Sequence, residues 1–352
     1  MSSRKIRTAI VGCGKIAVTH AGALGALEEA DFVACCDSDE GRARAMAEQY
    51  GVPHVFTDAR QLFASGLIDA ALVCAPHPAH CPLVTAAAEA GVHVMCEKPI
   101  SVSLAEADQM VEAAAKAGVT FGVIFQRRFW PSAQRIRRAI DEGKLGKLTL
   151  GECSVRIWRP ETYFASDPWR GKWATEGGGV LMNQAVHAID QFQWFMGPAV
   201  EVVGRFATLR HGAYIDVEDT AVATVVFANG ALGTIQAAST FDPGFGFRVA
   251  VHGDAGTAVS VWENPEGRQG VNDLWTIPGE EEQRHGWEQT ESNRPGFPEF
   301  HVLQIQDFLQ SLIENRPPAV TGAEARKSLE IIQAIYESSR TGKPIPLPME
   351  AA

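Results

Sequence analysis

Two short segments carry side chains whose types and spacing suit proton transfer. In the first, Glu97 and Lys98 set a carboxylate beside an ammonium group directly after an apolar run. In the second, Asn183 and His187 lie four residues apart and would share one face of a helix. Asp190 follows three residues later, where a carboxylate can fix the tautomer of the imidazole. Taken alone, Lys98 also suits an exposed surface lysine and His187 a satisfied core histidine, so their surroundings have to decide.

A glycine-rich turn near the N-terminus indicates phosphate binding. The residues from Gly12 to Ala17 read GCGKIA and match the pattern G-x-G-x-x-A between a predicted strand and a predicted helix. Gly12 permits the tight turn, Gly14 lets the backbone approach a pyrophosphate, and the small Ala17 allows the helix to lie close to the strand. N–H groups at the helix start then bind the phosphates. The alternative is a glycine turn that closes an unrelated sheet.

An acidic residue at the end of the second predicted strand favours dinucleotide binding. Asp37 lies 20 residues after Ala17, where a carboxylate accepts hydrogen bonds from the adenosine ribose. The same carboxylate repels a 2′-phosphate, so we expect NAD to be preferred over NADP. Arg42 and Arg44 lie close enough in sequence to weaken this preference, and NADP stays open.

Strands and helices alternate in the first third of the chain. Short runs rich in Val, Ile, Phe and Cys are separated by stretches with helical spacing, which is typical of a doubly wound parallel sheet covered on both faces. The carboxyl ends of such strands face the ligand crevice, so Glu97 and Lys98 should project towards the nicotinamide end of the dinucleotide. The predicted strands are Ile6–Val11, Phe32–Cys36, Ala70–Cys74, Val92–Cys96 and Phe121–Phe125.

A different pattern follows Gln126. A helix after Pro131 precedes several runs of strand character, and Asn229-Gly230 is a hairpin signal between two of them, so the second domain is predicted to be α+β with a mainly antiparallel sheet. We expect a dinucleotide-binding domain over 1–126 and a second domain over 127–352, with the last helix packing on either one. The polar stretch Pro278–Pro298 predicts a surface loop. The predicted strands are Leu148–Trp158, Val200–Leu209, Thr220–Phe227, Ala231–Ala238 and Phe247–His252, and the predicted later helices are Gly178 to Met196, Phe300–Glu314 and Ala323–Ser339.

Composition excludes several classes of protein. The chain has 352 residues, 31 Lys and Arg against 42 Asp and Glu, and a net charge of −11, which disfavours binding to nucleic acid. No apolar run is long enough to span a bilayer, and no signal peptide is expected. Seven scattered cysteines form neither a disulfide framework nor a metal-ligand pattern. The remaining histidines show no ligand spacing, so we expect a reduced, cytoplasmic protein without a metal.

Together these segments resemble the glucose–fructose oxidoreductase / inositol dehydrogenase / rhizopine catabolism family (Gfo/Idh/MocA), and the likeness extends over nearly the whole chain. The combination of Glu97-Lys98-Pro99 with the glycine run and histidine helix is its most specific part. The matching segments are Gly12–Ala17, Ala75-Pro76 with His77 and His80, Glu97-Lys98-Pro99, Phe125–Phe129, Trp169-Arg170-Gly171, and Gly177 to Asp190.

The resemblance implies an N-terminal Rossmann domain followed by an α+β domain with an open-faced sheet, through which a homodimer or homotetramer commonly forms. It implies that Glu97 contacts the nicotinamide-side ribose, that the peptide bond before Pro99 is cis, and that Trp169 and Arg170 lie beside the nicotinamide. The cofactor-binding residues expected on this basis are Gly12, Gly14, Lys15, Ile16, Asp37, Ala75, His77, His80, Glu97, Lys98, Gln126, Trp169 and Arg170.

The family's lysine and histidine match Lys98 and His187, which leads to a mechanism. His187 would take the hydroxyl proton of a secondary alcohol, since an imidazole with an ordinary pKa near 6.5 suits a base near neutral pH. Lys98 would hydrogen-bond the same oxygen and stabilise its developing charge. Many members acting on sugars and cyclitols have aspartate where this chain has Asn183. An amide accepts no proton there, so Asn183 is expected to orient the substrate by hydrogen bonds.

The segment between the first strand of the second domain and the histidine helix is rich in aromatic and basic residues. Trp158 and Tyr163 suit stacking on the C–H faces of a sugar or polyol, although aromatic residues there also suit an interdomain core. Arg128 is expected either to bind the substrate or to pair with an acid. The substrate-binding residues expected are Arg128, Trp158, Tyr163, Asn183 and His187.

Three functions compete. The first is an NAD(P)-dependent dehydrogenase of a sugar, cyclitol or sugar derivative. The second keeps the fold but makes the protein an NADPH-dependent reductase of a non-sugar carbonyl or diol. The third is a non-catalytic dinucleotide sensor resembling the galactose-pathway repressor of yeasts, which the presence of both Lys98 and His187 disfavours.

Overall fold

A computed structural model of the chain describes residues 5–280 and 296–349. Of these, everything up to Gln126 forms one compact unit together with Pro298–Arg326. The second unit contains the other described residues, from Arg127 onwards and again from Lys327. Most of the loop predicted over 278–298 lies outside the described residues.

The first unit is built on a six-stranded parallel sheet. Its strands are β1 (Ile6–Val11), β2 (Ala30–Cys36), β3 (His54–Phe56), β4 (Ala70–Val73), β5 (His93–Cys96) and β6 (Phe121–Val123). Their order is β3-β2-β1-β4-β5-β6, so the direction of the chain across the sheet reverses between β1 and β4. In doubly wound sheets ligands bind outside the carboxyl ends of the strands at this reversal. The predicted α/β fold with a parallel sheet is confirmed.

Helices connect these strands. They are α1 (Ala17–Ala26), α2 (Glu40–Tyr50), α3 (Ala59–Ala64), α4 (His80–Glu89) and α5 (Leu104–Ala117). Helix α5 shows how the local sequence sets the bounds. Ser103 caps its start by accepting a hydrogen bond from the N–H of Glu106 at 3.3 Å, and Gly118 ends it in the left-handed conformation, with φ at 68°.

Most of the helix Gly296–Glu314 belongs to the first unit, which includes Pro298–Arg326. Ile305, Phe308 and Leu309 are fully buried in the same core as Ile10 of β1. The amide of Gln304 also accepts from Phe125 N–H at 2.9 Å and donates to the carbonyl of Val123 at 2.8 Å, which extends the hydrogen bonding of β6. Expectations from sequence had assigned this helix to the second domain. Its apolar residues do not reveal which core they join.

The second unit contains an eight-stranded sheet in the order β13-β12-β11-β7-β10-β9-β8-β14. Neighbours are antiparallel except β7 and β10, which are parallel, so the mainly antiparallel sheet is confirmed. The strands are β7 (Leu148–Arg156), β8 (Ala199–Ala207), β9 (Thr220–Phe227), β10 (Leu232–Ala238), β11 (Gly246–Gly253), β12 (Ala258–Glu263), β13 (Val271–Trp275) and β14 (Ile345–Pro346).

Helices of the second unit position its functional side chains. They are α6 (Pro131–Asp141), α7 (Glu161–Phe164), α8 (Trp173–Glu176) and α9 (Val186–Met196), and a final helix, Gly322–Thr341, begins in the first unit. Directly before α9, Leu181–Ala185 form a π-helical turn. The sequence predicted one uninterrupted helix from Gly178 to Met196, and the wider turn replaces its first part. No helix within the described ranges is both long and apolar enough to cross a bilayer.

Candidate active site

The glycine turn is shaped by the strand beside it. Gly12 follows β1 with φ at +92°, and a Cβ there would lie 2.7 Å from the backbone nitrogen of Ala75, just beyond β4. Only glycine fits this position. A Cβ on Gly14 would instead meet nothing within 4 Å, so the backbone there borders open space. No side chain caps the N-terminus of α1, which begins after Ile16. A phosphate group fits such a cradle, since its oxygens accept hydrogen bonds from exposed N–H groups.

The carboxylate of Asp37 stands beside this turn. It accepts hydrogen bonds from the N–H groups of Cys13 and Asp39, both at 2.8 Å, and it forms an ion pair with Arg42 at 3.0 Å. The acid is therefore hydrogen-bonded to the glycine turn, and its expected contact with the adenosine ribose stays a prediction. Arg42 lies close enough to offset part of the negative charge that would repel a 2′-phosphate, so the preference for NAD remains a prediction.

The segment after β4 contains two predicted cofactor residues with different surroundings. His80 is fully buried, and its ring nitrogens contact the carbonyls of Ala75 and Pro99, each at 2.9 Å. Burial lowers the pKa of His80 despite these contacts. The ring thus ties the end of β4 to the end of β5 through both of its nitrogens, and its expected contact with the cofactor stays a prediction. His77 lies beside it with ring centroids 5.8 Å apart.

Glu97 and Lys98 follow β5 directly. The Oε1 atom of Glu97 lies 2.7 Å from Nε2 of His20, and Oε2 accepts the backbone N–H of Lys98 at 3.1 Å. Burial alone would raise the pKa of Glu97, but the hydrogen bond and neighbouring positive charge lower it to about 2. Glu97 is therefore ionised at neutral pH. The bond between Lys98 and Pro99 is cis, which confirms the expectation from the resemblance.

His301, from the Gly296–Glu314 helix, completes a buried group that the sequence did not reveal. The ligand atoms of His20, Glu97 and His301 lie within 4.8 Å of one another, and burial lowers the pKa of His301 to about 4. These residue types can bind a cation, but His20 and Glu97 are too close together to share one, because two ligands at about 2.1 Å from an ion lie about 3 Å or more apart. The group is better described as a hydrogen-bonded support for Glu97.

Gln126 is the last residue of the N-terminal segment of the first unit. Its Oε1 atom is buried and has no hydrogen-bond partner among the described residues. A buried acceptor without a partner is costly unless a ligand or water supplies a donor. This side chain therefore fits a place in the cofactor site.

In the second unit, Arg128 and Asp190 form a buried ion pair. The guanidinium donates to both carboxylate oxygens at 2.7 Å, and Ser328 donates to one of them at 3.0 Å. The two side chains are 4% and 0% exposed. Of the two alternatives for Arg128, the structure shows the pairing with an acid, and substrate binding by Arg128 stays a prediction. Asp190 accepts hydrogen bonds from Arg128 and Ser328, and the expectation that it fixes the tautomer of His187 stays a prediction.

The π-helical turn that carries Asn183 is held at its start by a buried acid. Glu218 accepts hydrogen bonds from the N–H groups of Gly179 and Leu181 at 2.7 and 2.9 Å, and from the hydroxyl of Tyr336 at 3.0 Å. Burial outweighs these donors and raises the pKa of Glu218 to about 7. A Cβ on Gly179 would lie 1.9 Å from the carbonyl oxygen of Glu218, so the glycine run permits this close contact. π-helical turns are rare and occur frequently at functional sites.

Asn183 and His187 are buried but retain some exposure, at 8% each. Asn183 lies in the π-helical turn and His187 in the first turn of α9, so the spacing expected for a regular helix does not strictly apply. The Nδ2 atom of Asn183 donates to Glu176 and, at 3.3 Å, to the hydroxyl of Tyr163. Sequence reasoning missed Glu176, because a single glutamate before a glycine run carries no signal of its own.

The aromatic residues expected to line the substrate site pack partly on one another. Trp158 lies with its ring centroid 5.6 Å from that of His211, and Arg170 lies over the rings of Tyr163 and Trp169 at 4.4 and 4.5 Å. Arg170 also pairs with Asp167 at 3.1 Å. Each of Trp158, Tyr163, Trp169 and Arg170 is half-buried, so these side chains both pack and keep exposed surface.

The expected site residues are divided between the units. The first unit contains Gly12, Gly14, Lys15, Ile16, Asp37, Ala75, His77, His80, Glu97, Lys98 and Gln126. The second contains Arg128, Trp158, Tyr163, Trp169, Arg170, Asn183 and His187.

Two family models match the chain. Residues 6–125 match the GFO_IDH_MocA model described as an oxidoreductase family with an NAD-binding Rossmann fold. Residues 137–347 match the model described as the C-terminal alpha/beta domain of the same oxidoreductase family. Together the matches extend over most of the chain.

Individual proteins are similar over almost the full length. The myo-inositol 2-dehydrogenase of Thermotoga maritima is 29% identical over 95% of this chain and 96% of its own. The scyllo-inositol 2-dehydrogenase (NAD(+)) of Bacillus subtilis is 26% identical over 99% of this chain and 98% of its own. A crystal structure of the WlbA dehydrogenase from Bordetella pertussis, in complex with NADH and UDP-GlcNAcA, is 30% identical. It aligns with a TM-score of 0.87 over 99% of this chain and 100% of that one.

Proposed function

This chain belongs to the GFO_IDH_MocA oxidoreductase family, and on that premise we propose that it oxidises a secondary alcohol of a sugar, cyclitol or sugar derivative, reversibly and with NAD. The observation that carries the proposal is the position of Lys98. It follows β5 at the carboxyl edge of a sheet whose β1 turn is open at Gly14 and bordered by Asp37. An ammonium group at that edge suits an oxygen that gains negative charge.

The proposed chemistry divides between the cofactor and the side chains. When bound, NAD supplies the hydride acceptor. His187 takes the proton of the substrate hydroxyl, and Lys98 donates a hydrogen bond to the same oxygen and stabilises its negative charge as the proton leaves. Asn183 orients the substrate through hydrogen bonds. In the reverse direction His187 returns the proton.

NAD is the proposed cofactor because Asp37 presents a carboxylate where NADP would carry a 2′-phosphate. The residues proposed to hold it are those at the turn and at the strand ends, namely Gly12, Gly14, Lys15, Ile16, Asp37, Ala75, His77, Glu97, Lys98 and Gln126, with Trp169 and Arg170 from the second unit. His80 belongs to the same proposed set, although its two ring nitrogens contact main-chain carbonyls.

The proposed substrate class rests on the relatives and on the half-buried aromatic side chains Trp158 and Tyr163. Two similar proteins are named as inositol dehydrogenases, and another was crystallised with UDP-GlcNAcA. Aromatic faces with neighbouring hydrogen-bonding groups suit a polyhydroxylated ring. The proposed panel is therefore myo-inositol, scyllo-inositol and UDP-GlcNAcA.

We also propose that copies of the chain associate through the second sheet. Leu150 and Leu232 pair across β7 and β10, and they are 45% and 57% exposed, with Val222 of β9 at 52%. Exposed apolar side chains clustered on one sheet are typical of an interface. Leu232→Lys should lower the oligomeric mass measured by light scattering, and an unchanged mass would exclude this surface.

The test of the catalytic proposal measures NADH formation with each member of the panel. His187→Ala and Lys98→Ala should each lower kcat by about 100-fold or more, because each removes a proton-transfer or charge-stabilising group. The dissociation constant of NADH should change by less than about threefold in His187→Ala, and Lys98→Ala should still bind NADH, since neither change weakens phosphate binding. His252→Ala and Lys116→Ala, which alter residues of the same type elsewhere, serve as controls. Substantial turnover by His187→Ala would exclude the assigned base.

A further inference from the structure

The amide of Asn183 has its orientation fixed by a buried carboxylate. Glu176 ends α8 and is 1% exposed. One of its carboxylate oxygens accepts from Nδ2 of Asn183, and the other accepts the backbone N–H of Gly171 at 2.6 Å. Because Nδ2 is the amide atom that contacts the carboxylate, the NH₂ edge of the amide faces Glu176. The carbonyl oxygen Oδ1 therefore lies on the opposite edge.

Tyr163 determines the direction of the second N–H of the same amide. Its phenolic oxygen accepts from Nδ2 of Asn183 at 3.3 Å, from Nε2 of Gln184 at 2.9 Å, and from the guanidinium of Arg170. These three donors, together with Arg159, converge on one oxygen. Burial raises the pKa of Tyr163, so the hydroxyl keeps its proton, and no described residue accepts a hydrogen bond from it.

These contacts determine which atoms in this part of the site can accept a hydrogen bond and which can donate one. We propose that Glu176 is a positioning residue, which holds Asn183 with Oδ1 towards the substrate, so that Asn183 accepts a hydrogen bond from a substrate hydroxyl while Tyr163 donates one to a neighbouring oxygen. The inference rests on the proposed function and deepens it, because it specifies which oxygen must carry a proton. A substrate with two adjacent oxygens, the first of them a hydroxyl, fits this arrangement. Vicinal polyols have this pattern.

Exchanging the charge between the two residues tests the proposal. In Glu176→Gln, the side-chain oxygen still serves Gly171, but its new NH₂ group faces the NH₂ of Asn183. Asn183 relieves this by turning over, which presents a donor instead of an acceptor to the substrate. In Asn183→Asp, two carboxylates face each other, and one of them must take up a proton.

The double variant E176Q/N183D restores both contacts. The introduced glutamine amide donates to the introduced carboxylate, while the glutamine oxygen still accepts from the N–H of Gly171. The second oxygen of that carboxylate again presents an acceptor to the substrate. The charge of the pair is the same as in the wild type. Only its position within the pair differs.

The kinetic experiment uses the panel member that the wild-type enzyme oxidises fastest. Each single variant should lower kcat/KM at least tenfold, chiefly through KM, and E176Q/N183D should recover to within about threefold of the wild type. Glu161→Gln, an exposed carboxylate change on α7, should leave kcat/KM within about twofold. A double variant whose loss equals the product of the single losses would overturn the proposal, and so would an Asn183→Asp variant with wild-type kinetics.

A second readout does not need a substrate. The melting temperature of Asn183→Asp should fall relative to the wild type as pH rises from 5.5 to 8.5, because the folded state holds a proton on the carboxylate pair that the unfolded state releases. E176Q/N183D should follow the wild type. The titratable groups facing Glu176 are Tyr163 and Tyr336. Arg159 and Arg170 lie beyond Tyr163, and Glu218, whose pKa burial raises to about 7, lies beyond Tyr336. The wild type and the variants share all of these groups, so the comparison with the wild type cancels their titration.

The two readouts separate failure of this inference from failure of the proposed function. If the wild-type enzyme oxidises no member of the panel, the proposed function fails, and the melting comparison still tests the pair. If Asn183→Asp melts in parallel with the wild type across the pH range, the two side chains do not share a hydrogen bond and the inference is overturned.

Discussion

Replacing Asp37 with serine should change the choice of dinucleotide. In the wild type its carboxylate accepts hydrogen bonds from the N–H groups of Cys13 and Asp39 at 2.8 Å, which hold it beside the glycine turn. A serine hydroxyl retains one acceptor for these groups but carries no charge. The negative charge that would oppose a 2′-phosphate is therefore removed while the turn keeps part of its support.

The expected change in the ratio of NADPH to NADH affinity can be calculated from the charges. Two unit charges about 5 Å apart interact by about 1.7 kcal/mol at an effective dielectric constant of about 40. The ion pair with Arg42 at 3.0 Å offsets part of this repulsion, but loss of the carboxylate also releases Arg42 to pair with the phosphate. A tenfold change in affinity corresponds to about 1.4 kcal/mol of binding free energy. We therefore expect the ratio of NADPH to NADH affinity to rise by about 10-fold to 100-fold.

The assay measures the dissociation constants of NADH and NADPH by fluorescence, so it needs no substrate. Glu40→Gln removes a charge from the first turn of α2 without altering Asp37, and its affinity ratio should stay within about twofold of the wild type. Adding Arg42→Gln to Asp37→Ser should cancel part of the gain in NADPH affinity. If Asp37→Ser changes the affinity ratio by less than about threefold, the carboxylate of Asp37 does not discriminate against the 2′-phosphate and the prediction is refuted.

Three further predictions concern the supports of the second unit. Since burial raises the pKa of Glu218 to about 7, the folded protein holds a proton on this side chain that the unfolded protein releases. The free energy of unfolding of the wild type, measured with urea, should therefore fall by about 1–3 kcal/mol relative to that of Glu218→Gln as pH rises from 5 to 8. Gly179→Ala should lower the melting temperature and kcat together, because its Cβ would meet a carbonyl oxygen at 1.9 Å. Asp190→Asn should cost about 3–5 kcal/mol by leaving Arg128 buried without its counter-charge, whereas Asp141→Asn at an exposed pair should cost less than about 1 kcal/mol.

Much of the fold follows from local sequence because its strands are continuous apolar runs. Ile6–Val11 and Thr220–Phe227 begin and end where the sequence predicts, and the glycine turn lies between β1 and α1 as expected. The three-residue β3 was missed because it is too short to show a pattern. Strands β12 to β14 were missed because they are only six, five and two residues long, and Pro265, Gly267 and Gly270 lie between β12 and β13.

The site was predictable only where a motif kept its residues close in sequence. The turn with Asp37, and the pair Glu97 and Lys98, follow from strand ends that meet at one edge of a parallel sheet. His20 and His301 are 281 residues apart, so their approach to Glu97 depends on the returning helix.

Contacts within the second unit could not be predicted either where the two partners lie on different helices or turns. The spacing of His187 and Asp190 predicts that they interact, but Asp190 pairs with Arg128, which lies 62 residues earlier. Charge and spacing along one helix could not reveal a stronger partner from another element. Glu176 was missed for the same reason, since its partner Asn183 faces it only because the glycine run separates α8 from the π-helical turn.

The most direct test of the central claim is a crystal structure with NAD⁺ and the panel member that is oxidised fastest, trapped in the Lys98→Met variant and compared with the wild-type complex. The account predicts that Nε2 of His187 lies within about 3.2 Å of one substrate oxygen in both structures, and that Nζ of Lys98 contacts that same oxygen in the wild type. Contacts from His187 and Lys98 to different oxygens, or a substrate bound without either residue, would contradict it.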